Sequence, residues 1–286
     1  GILEVDRTTA GEDERRYSLP AARAHVLLQR DSEAYMGAMA EAVVAAATWL
    51  PMLEPAYRAG TGVPYAAYGV QDLQAAFSRP HFANRLVQAW LPALPDVHTR
   101  LLAGPTRVAE IGCGEGIAAV TLARSFPGAV VDGFDLDDAS IAAARRHADE
   151  AGVADRVRFE VADAVTLLTT GAYDLVFCVE MLHDTSDPVG VLAAMRRARG
   201  RDGAVLVVDE AVAESFASPV EPLERLLYAF STLHCLPVGL VGQPSAGTGA
   251  VMRPAVVRRY AGGAGFRSVQ ELPVEDPQFR LYRLDG

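Results

Sequence analysis

Lysine is absent from this sequence, and all 26 of its basic residues are arginine. Without a lysine amine, the chain cannot form a Schiff base with a carbonyl substrate or pyridoxal phosphate, and it lacks the lysine of a Walker-type phosphate loop. Cysteine is scarce, because only Cys113, Cys178 and Cys235 occur and no two of them form a Cys-x-x-Cys pair. The sequence therefore predicts neither a disulfide framework nor a metal site.

Long hydrophobic runs are missing as well. The longest nearly apolar stretch, from Ala42 to Leu53, is shorter than the roughly 18–20 residues that a membrane span needs. The first residues, Gly1 to Asp6, have neither the basic start nor the apolar segment of a secretion signal. We therefore expect a cytoplasmic protein that has no membrane partner.

Positive charge is in deficit, since 26 basic residues face 36 acidic ones and the net charge is −10. So acidic a chain is a poor partner for nucleic acid. Half of its 286 residues are hydrophobic, which is enough for a large core and argues against general disorder. The length suits a main domain with an accessory one.

The sequence predicts a mainly helical accessory region over residues 1–104. Two strand-like pieces, residues 1–6 and 17–19, flank a polar stretch from Thr8 to Arg16, as in a hairpin with a long tip. Apolar residues then recur at helical spacing from Ala21 onward, and we expect that helix to end at Pro51 and Pro55.

From residue 105 onward, strand-like and helical segments alternate, which predicts an α/β fold with a parallel sheet covered by helices. The strand-like runs are Val108–Ile111, Val130–Phe134, Val157–Val161, Tyr173–Val179 and Ala204–Val208. The chain ends in an antiparallel hairpin of Val269–Val274 and Phe279–Leu284. Residues 213–254, which are apolar and interrupted by proline and glycine, are expected to insert as a lid over an apolar pocket.

A glycine-rich turn follows the first of these strands, in the order Gly112-Cys113-Gly114-Glu115-Gly116. Glycine lets the backbone turn tightly and approach a ligand closely. One alternative is a plain turn between strand and helix. Another is the dinucleotide fingerprint G-x-G-x-x-G, but its third glycine falls on Ile117.

Acidic residues stand at the ends of three consecutive strands, at Glu110, Asp135 and Asp163. Because the carboxyl ends of parallel strands share one edge, these residues are predicted to face one ligand. Asp135 is placed to bind two ribose hydroxyls and Asp163 to meet an adenine amine. The alternative for Asp135 is a helix N-cap, although Asp138 and Ser140 are better placed for that role.

These motifs resemble those of class I S-adenosylmethionine-dependent methyltransferases. The matching segments are 110–116, Asp135, Asp163, 173–177 and 201–208. The resemblance implies a Rossmann-like sheet of seven strands, six of them parallel, with a reversed strand in the C-terminal hairpin. The segments 131–135, 181–184 and 233–237 look more narrowly like an actinobacterial small-molecule group that has an N-terminal winged-helix-like segment. In that group, residues 1–28 would correspond to the wing.

The resemblance also implies roles for individual residues around S-adenosyl-L-methionine and its product S-adenosyl-L-homocysteine. The residues assigned to this cofactor are Glu110, Gly112 and Gly114 for the methionine part, Asp135 and Leu136 for the ribose, Asp163 and Ala164 for the adenine, and Glu180 and Met181 for the sulfonium side. Tyr65 either closes over the cofactor carboxylate or anchors its loop.

The resemblance implies methyl transfer to a small, mostly apolar or aromatic acceptor, at oxygen, by a homodimer. His183 is the first candidate base, and its alternative is a histidine that only supports the strand end. His234 is the second candidate, although a packed histidine is the favoured interpretation there. Two other functions stay open: a cofactor-binding protein of this fold that does not methylate, such as a cyclase, and a ligand-sensing regulator.

Overall fold

The chain begins with a small hairpin in the computed structural model, which describes residues 1–6, 11–166 and 171–286. Strands β1 (Glu4–Val5) and β2 (Tyr17–Ser18) pair antiparallel, with Glu4 opposite Ser18. This agrees with the predicted hairpin. Residues 8–10 of its predicted tip lie outside the described residues.

In the described part of the chain, the α-helices before the main sheet are α1 (Ala21–Leu28), α2 (Gly37–Ala59), α3 (Gln71–His81) and α4 (Pro95–Ala103). A π-helical segment, Phe82–Trp90, continues α3. The expected end at Pro51 and Pro55 is wrong, because both prolines lie inside α2. A proline in a helix interior costs about 3 kcal/mol, and the burial of Trp49 and Leu53 on this helix offsets that loss. The helix ends instead at Gly60, whose φ is 67°.

Seven strands form the main sheet: β3 (Thr106–Ile111), β4 (Ala129–Asp135), β5 (Val157–Val161), β6 (Tyr173–Val179), β7 (Arg199–Glu210), β8 (Ser268–Glu271) and β9 (Phe279–Asp285). Their order is β5-β4-β3-β6-β7-β9-β8. Strand β9 is antiparallel to both of its neighbours, so the other six strands point the same way. This confirms the predicted sheet of six parallel strands and one reversed strand.

Helices cover both faces of this sheet. They are α5 (Ile117–Ser125), α6 (Asp138–Glu150), α7 (Pro188–Ala198) and α10 (Pro254–Gly263), whereas α8 (Pro222–Phe230) and α9 (Leu236–Gly239) pack against the π-helical segment Ser231–Cys235 that joins them. Along β6, Leu175 and Phe177 enter one core while Val176 and Cys178 enter the other. Both faces are buried because side chains alternate along a strand, which explains why β6 reads as a continuous apolar run.

The helices before the sheet place a second layer over its carboxyl edge. Trp90, Leu94 and Leu101 join the core on one face of the sheet. Trp49 and Tyr68 belong to a smaller core, against which Leu233 packs from the segment after α8. Among the described residues, no helix has the length and hydropathy needed to cross a lipid bilayer.

Candidate active site

The glycine-rich turn joins β3 to α5 in a conformation that favours glycine. Gly112 and Gly114 have φ of 69° and 50°, in the left-handed region that other residues rarely adopt. A Cβ atom on Gly112 would collide with the side chain of Met181, whereas one on Gly114 would meet nothing within 4 Å. The turn therefore packs tightly against Met181 and leaves open space beside Gly114.

Asp135 ties the end of β4 to this turn. Its Oδ2 accepts the backbone N–H of Gly114 at 2.8 Å, and its Oδ1 accepts that of Asp137 at 2.9 Å. Burial raises the pKa of Asp135, and these amides oppose that shift. The helix-capping role belongs to Asp137, whose side chain accepts the N–H of Ser140 at 2.8 Å. Each oxygen of Asp135 keeps a further lone pair for a ligand hydroxyl.

The other two strand-end acids differ in environment. Glu110 is only 2% exposed, and its Oε2 accepts the backbone N–H of Ala119 in α5 at 3.0 Å. Burial raises the pKa of Glu110 well above its ordinary value. Asp163 is exposed, and its Oδ1 accepts the N–H of Val165 at 2.9 Å. Glu110 thus fixes the glycine turn to α5, while Asp163 shapes the loop after β5.

A cavity of about 550 Å³, here called the first cavity, lies along this edge of the sheet. All ten predicted cofactor residues line it: Tyr65, Glu110, Gly112, Gly114, Asp135, Leu136, Asp163, Ala164, Glu180 and Met181. Its walls also include Glu115, Asp137 and Asp184, but no arginine or histidine among the residues described. The first cavity is therefore acidic and suits a ligand with positive charge.

A second cavity of about 270 Å³ adjoins the first. Helices α2, α3 and α8 supply most of its walls, with Met39, Ala42, Trp49, Leu73, Phe77, Leu223, Leu226, Leu227 and Phe230 among the apolar residues. Gln74 and Glu180 line both cavities. These two residues therefore stand at the boundary between an acidic chamber and an apolar one.

Glu180 has an unusual backbone and an unusual side chain. It follows β6 with φ of 51°, a strained conformation for a residue other than glycine. The Ser78 hydroxyl of α3 donates to its Oε2 at 2.9 Å. Burial, followed by the neighbouring charge of Glu210, raises the pKa of Glu180 to about 7. The boundary group therefore titrates near neutral pH.

His183 lies behind the cavities rather than on their walls. Its Nδ1 is 2.9 Å from Oδ1 of Asp209 and 3.1 Å from Oε2 of Glu210, and its Nε2 is 3.2 Å from Oδ1 of Asp184. Burial lowers its pKa, but the three carboxylates outweigh that effect and raise the pKa well above the ordinary value. His183 is therefore an imidazolium at neutral pH. Glu210 lines the second cavity and Asp184 the first.

His234 and Tyr65 occupy the aromatic part of the site. The His234 ring lies 5.9, 5.8 and 4.6 Å from the ring centres of Trp49, Tyr65 and Tyr68. It lines the second cavity, and its Nε2 has no hydrogen-bond partner within the described parts of the chain. Burial lowers its pKa, so the ring is neutral. Burial also raises the pKa of Tyr65, which lines the first cavity.

Two groups in this region have ligand atoms close enough to hold a metal ion. His183 joins Asp209 and Glu210 in one, and Asp184 and Cys235 in the other, with ligand atoms within 4.8 Å of each other. An imidazolium has no lone pair for a metal. The carboxylates favour protonated His183, which therefore takes the place of a metal cation between these acids.

Sequence reasoning missed Asp209, Glu210 and Ser78. Asp209 and Glu210 end β7 on the same edge as Asp135, so the strand-end rule could have found them. Ser78 lies on α3, 102 residues before its partner Glu180. No local sequence signal marks such a contact.

Comparison with known proteins assigns a class to this site. Residues 108–203 match the family model described as a methyltransferase domain. The ubiquinone biosynthesis O-methyltransferase of Paracidovorax citrulli (strain AAC00-1) is 37% identical over 127 residues, which are 44% of this chain and 50% of that protein. The chain thus spans about half the length of the curated relatives it matches.

Solved structures extend the comparison over almost the whole chain. An O-methyltransferase family protein from Burkholderia thailandensis has a TM-score of 0.68 at 18% identity, over 100% of this chain and 80% of that one. The structure described as PigF with SAH has a TM-score of 0.70 at 18% identity, over 94% and 79%. At this identity the likeness concerns the fold. Residues 108–203 are therefore similar to a methyltransferase domain, and the chain shares the fold of these solved methyltransferase structures.

Proposed function

We propose that this protein transfers a methyl group from S-adenosylmethionine to a hydroxyl oxygen of a small, mostly apolar or aromatic molecule. The main support is the pair of adjoining cavities, in which the acidic one contains all ten predicted cofactor residues and the apolar one meets it at Glu180. The O-methyltransferase relatives favour oxygen as the acceptor atom.

The first cavity fits this cofactor better than a dinucleotide. S-adenosylmethionine carries a net positive charge, whereas the diphosphate of NAD is negative and is usually held by a helix N-terminus or by basic groups. The lining of the first cavity is acidic, and its described part includes no arginine or histidine. Its volume of about 550 Å³ lies within the usual range of about 300–1,000 Å³ for small-molecule sites.

We assign the parts of the cofactor as the resemblance implies. Gly112 and Gly114 would let the methionine part approach the backbone, and Glu110 would hold that turn through α5. Asp135 would receive the ribose hydroxyls with the free lone pairs of its oxygens. The loop of Asp163 would face the adenine, and Tyr65 would close over the carboxylate.

The chemistry needs alignment and a proton acceptor. S-adenosylmethionine supplies a methyl group on a sulfonium, and transfer breaks the carbon–sulfur bond with its electron pair left on sulfur. An acceptor in the second cavity would present its hydroxyl at the boundary formed by Gln74 and Glu180. Holding the reacting atoms about 3 Å apart and in line is the main contribution expected of the protein.

His183 is our proposed base, and the structure suggests how it would act. It contacts Glu210, which lines the second cavity, at 3.1 Å. Because His183 is itself protonated in this cluster, it would act as a base only through Glu210, whose ionised carboxylate would take the proton of the acceptor beside the imidazolium. The alternative, that His183 only positions these carboxylates, predicts the same contacts and is separated by kinetics. For His234, its packing against three aromatic rings favours a structural role.

We also propose an arrangement of domains and subunits. Residues 1–104 would form the accessory unit and residues 105–286 the catalytic unit, with a lid at about 213–254. The small core around Trp49 and the lining residues contributed by α8 support this division. Val43 and Val44 of α2 are 67% and 71% exposed, which supports a homodimer through this helix. The charge of −10 disfavours nucleic acid as a partner, and we propose that the protein works in the cytoplasm.

Thermal unfolding with added ligands tests the cofactor assignment. A ligand at 100 times its dissociation constant adds about 2.7 kcal/mol. We expect S-adenosylmethionine and S-adenosylhomocysteine to raise the melting temperature, and NAD to leave it unchanged. Transfer of a labelled methyl group to an acceptor panel then tests the reaction. Stabilisation by NAD alone would overturn the proposal, and cofactor binding without transfer to any acceptor would favour the non-methylating alternative.

Asp135→Asn sharpens the same test. The amide nitrogen that replaces one carboxylate oxygen would face the N–H of Gly114 or of Asp137, and the variant would lose charge toward the ribose. We expect cofactor affinity to fall about tenfold or more, as for other hydrogen bonds to charged groups. Asp174→Asn is the matched control, because its carboxylate accepts the N–H of Arg107 at 2.9 Å at the opposite end of the sheet. Equal affinity in both variants would remove Asp135 from the site.

A further inference from the structure

We infer that the second cavity binds an apolar molecule carrying a protonated amine, and that the methyl acceptor belongs to this class. That this molecule is the methyl acceptor rests on the proposed function, whereas the preference for a cation follows from the cavity itself. It is supported by an excess of acidic groups over cations beside the cavity, by the apolar cavity walls and by the position of Glu210.

Buried and half-buried acidic groups outnumber the cations in the described residues around the second cavity. Glu180, Asp184, Asp209 and Glu210 form one cluster at the carboxyl edge of the sheet. Within the described residues, His183 is the cation of this cluster and contacts three of the acids at 2.9–3.2 Å. Buried charges are stable when they are paired. The cluster therefore lacks a second positive partner.

Glu180 and Glu210 show the effect of that deficit. Both line the second cavity. Burial raises the pKa of Glu180 to about 7 and that of Glu210 to about 8. Each acid favours its protonated form near neutral pH because it is buried and lies near another carboxylate, Glu180 near Glu210 and Glu210 near Asp209. A ligand ammonium placed against Glu210 would replace that proton as the balancing charge.

The remaining walls select the rest of the molecule. Phe77, Leu226 and Phe230 offer apolar contacts for a hydrocarbon or aromatic body. The neutral ring of His234 provides an unpartnered Nε2. Glu33 is paired with Arg85, so it is not the group in need of a cation. No arginine is among the described lining residues, and burial lowers the pKa of His81, so a carboxylate or phosphate ligand would meet uncharged donors rather than a cation among them.

Proton release on binding would distinguish recognition of an ammonium group from recognition of ligand size alone. The groups around the two acids are Ser78 from α3, His183 and Asp184 from the turn after β6, and Asp209 from β7. The neighbouring carboxylates raise the pKa of His183 and so favour its protonated form. Binding of an ammonium should therefore release a proton from Glu180 or Glu210, and affinity should rise as pH increases from about 6 to about 8.

Calorimetry with three probes of matched shape tests the inference. Naphthylmethylammonium, naphthylmethanol and naphthoate carry a positive, a neutral and a negative group on the same ring system. Each is titrated into the protein saturated with S-adenosylhomocysteine, in two buffers of different ionisation enthalpy. We expect the ammonium to bind about tenfold or more tightly than the naphthoate, with proton release that the alcohol does not show.

Two variants locate the effect. Glu210→Gln should weaken the ammonium about tenfold and leave the alcohol within about threefold. Glu214→Gln is the control with the same charge change, since Glu214 is exposed and pairs with Arg258. Leu226→Trp, which narrows the second cavity, should weaken the ammonium and the alcohol alike. If Glu210→Gln unfolds, the affinity of the wild type for the ammonium at several pH values tests the inference without a variant.

The outcomes separate the two proposals. Naphthoate bound as tightly as the ammonium, ammonium binding without proton release, or no ammonium binding at millimolar concentration would each overturn the inference. None of these results affects stabilisation by S-adenosylmethionine. Conversely, ammonium selectivity without any cofactor binding would uphold the cation site and overturn the proposed methyl transfer.

Discussion

The two cavities meet at Glu180, but they are built in different ways. The first is made by strand ends and one glycine turn, held by backbone contacts such as the Gly114 N–H to Asp135 bond of 2.8 Å. The second is enclosed by side chains of α2 and α3 together with α8, which follows them by more than a hundred residues in the sequence. One chamber depends on local backbone geometry, and the other on packing between distant helices.

This difference matters for specificity. Backbone contacts recognise a ligand feature that does not change, such as a ribose or a methionine group. Side chains on packed helices can be replaced without disturbing the sheet, so they can adapt to different acceptors. The first cavity should therefore tolerate little substitution, and the second should tolerate much more.

The largest expected effect comes from Gly112→Ala. The added Cβ would collide with Met181 at a φ of 69°. Moving Met181 or the turn would displace the cofactor contacts, and we expect affinity for S-adenosylmethionine to fall about a hundredfold or more. Isothermal titration calorimetry measures this loss.

Gly152→Ala is the matched control. Gly152 has φ of 67°, and a Cβ there meets nothing within 4 Å. Left-handed backbone alone disfavours alanine by about 1–2 kcal/mol, so this variant should lose stability but retain cofactor affinity. If both variants bind the cofactor equally well, the tight packing of the turn is irrelevant to binding.

The same contrast explains what the sequence could predict. Glu110, Asp135 and Asp163 follow apolar strands, so the geometry of a parallel sheet brings them to one edge without any knowledge of tertiary contacts. The parallel strands and the final hairpin follow from similar local patterns, whereas the seven-stranded sheet with its reversed strand was implied by the resemblance. Applying the rule to β7 as well would have found Asp209 and Glu210.

The second cavity could not be predicted in this way. Pro51 and Pro55 suggested that a helix ends where α2 continues to Ala59, because tertiary packing overrode a local preference. The contact between Ser78 and Glu180 joins residues 102 positions apart. Nor does the sequence show that His183 is surrounded by three carboxylates, two of which come from another strand.

A smaller effect is expected from the two histidines at the back of the second cavity. His183→Asn removes the imidazolium that bridges three carboxylates. If His183 is part of the proposed base, this variant should lower kcat about a hundredfold and flatten the pH profile of kcat. Its cofactor affinity should stay within about threefold of the wild type. His234→Phe should preserve ring packing against Trp49 and Tyr68 and change kcat little. Steady-state kinetics with a labelled methyl group provides both values.

Equal reductions in kcat for His183→Asn and His234→Phe would indicate that general disturbance of the second cavity is responsible. An unchanged kcat in His183→Asn would restrict His183 to positioning the carboxylates. Circular dichroism of both variants checks that the fold is intact before the rates are compared.

The smallest expected effect is a change in how the free energy of unfolding depends on pH, and it isolates Glu180 and Glu210 of the second cavity. Glu180 and Glu210 have native pKa values of about 7 and about 8, above the ordinary value of 4.5. The native state therefore binds more protons than the unfolded state between about pH 4.5 and 8. Their contribution to the free energy of unfolding is fully present below pH 4.5 and is lost as pH rises through 7 and 8.

Urea titrations at several pH values can measure this contribution as a difference between proteins. The double variant Glu180→Gln, Glu210→Gln should show a shallower fall in unfolding free energy from pH 5 to 8 than the wild type. Glu110 and Asp135 also have raised pKa values, but they are present in both proteins and largely cancel in the difference. Asp184, whose pKa is lowered, acts at more acidic pH. Parallel curves would mean that these two carboxyls titrate normally, and the second cavity would then have no unmet need for a cation.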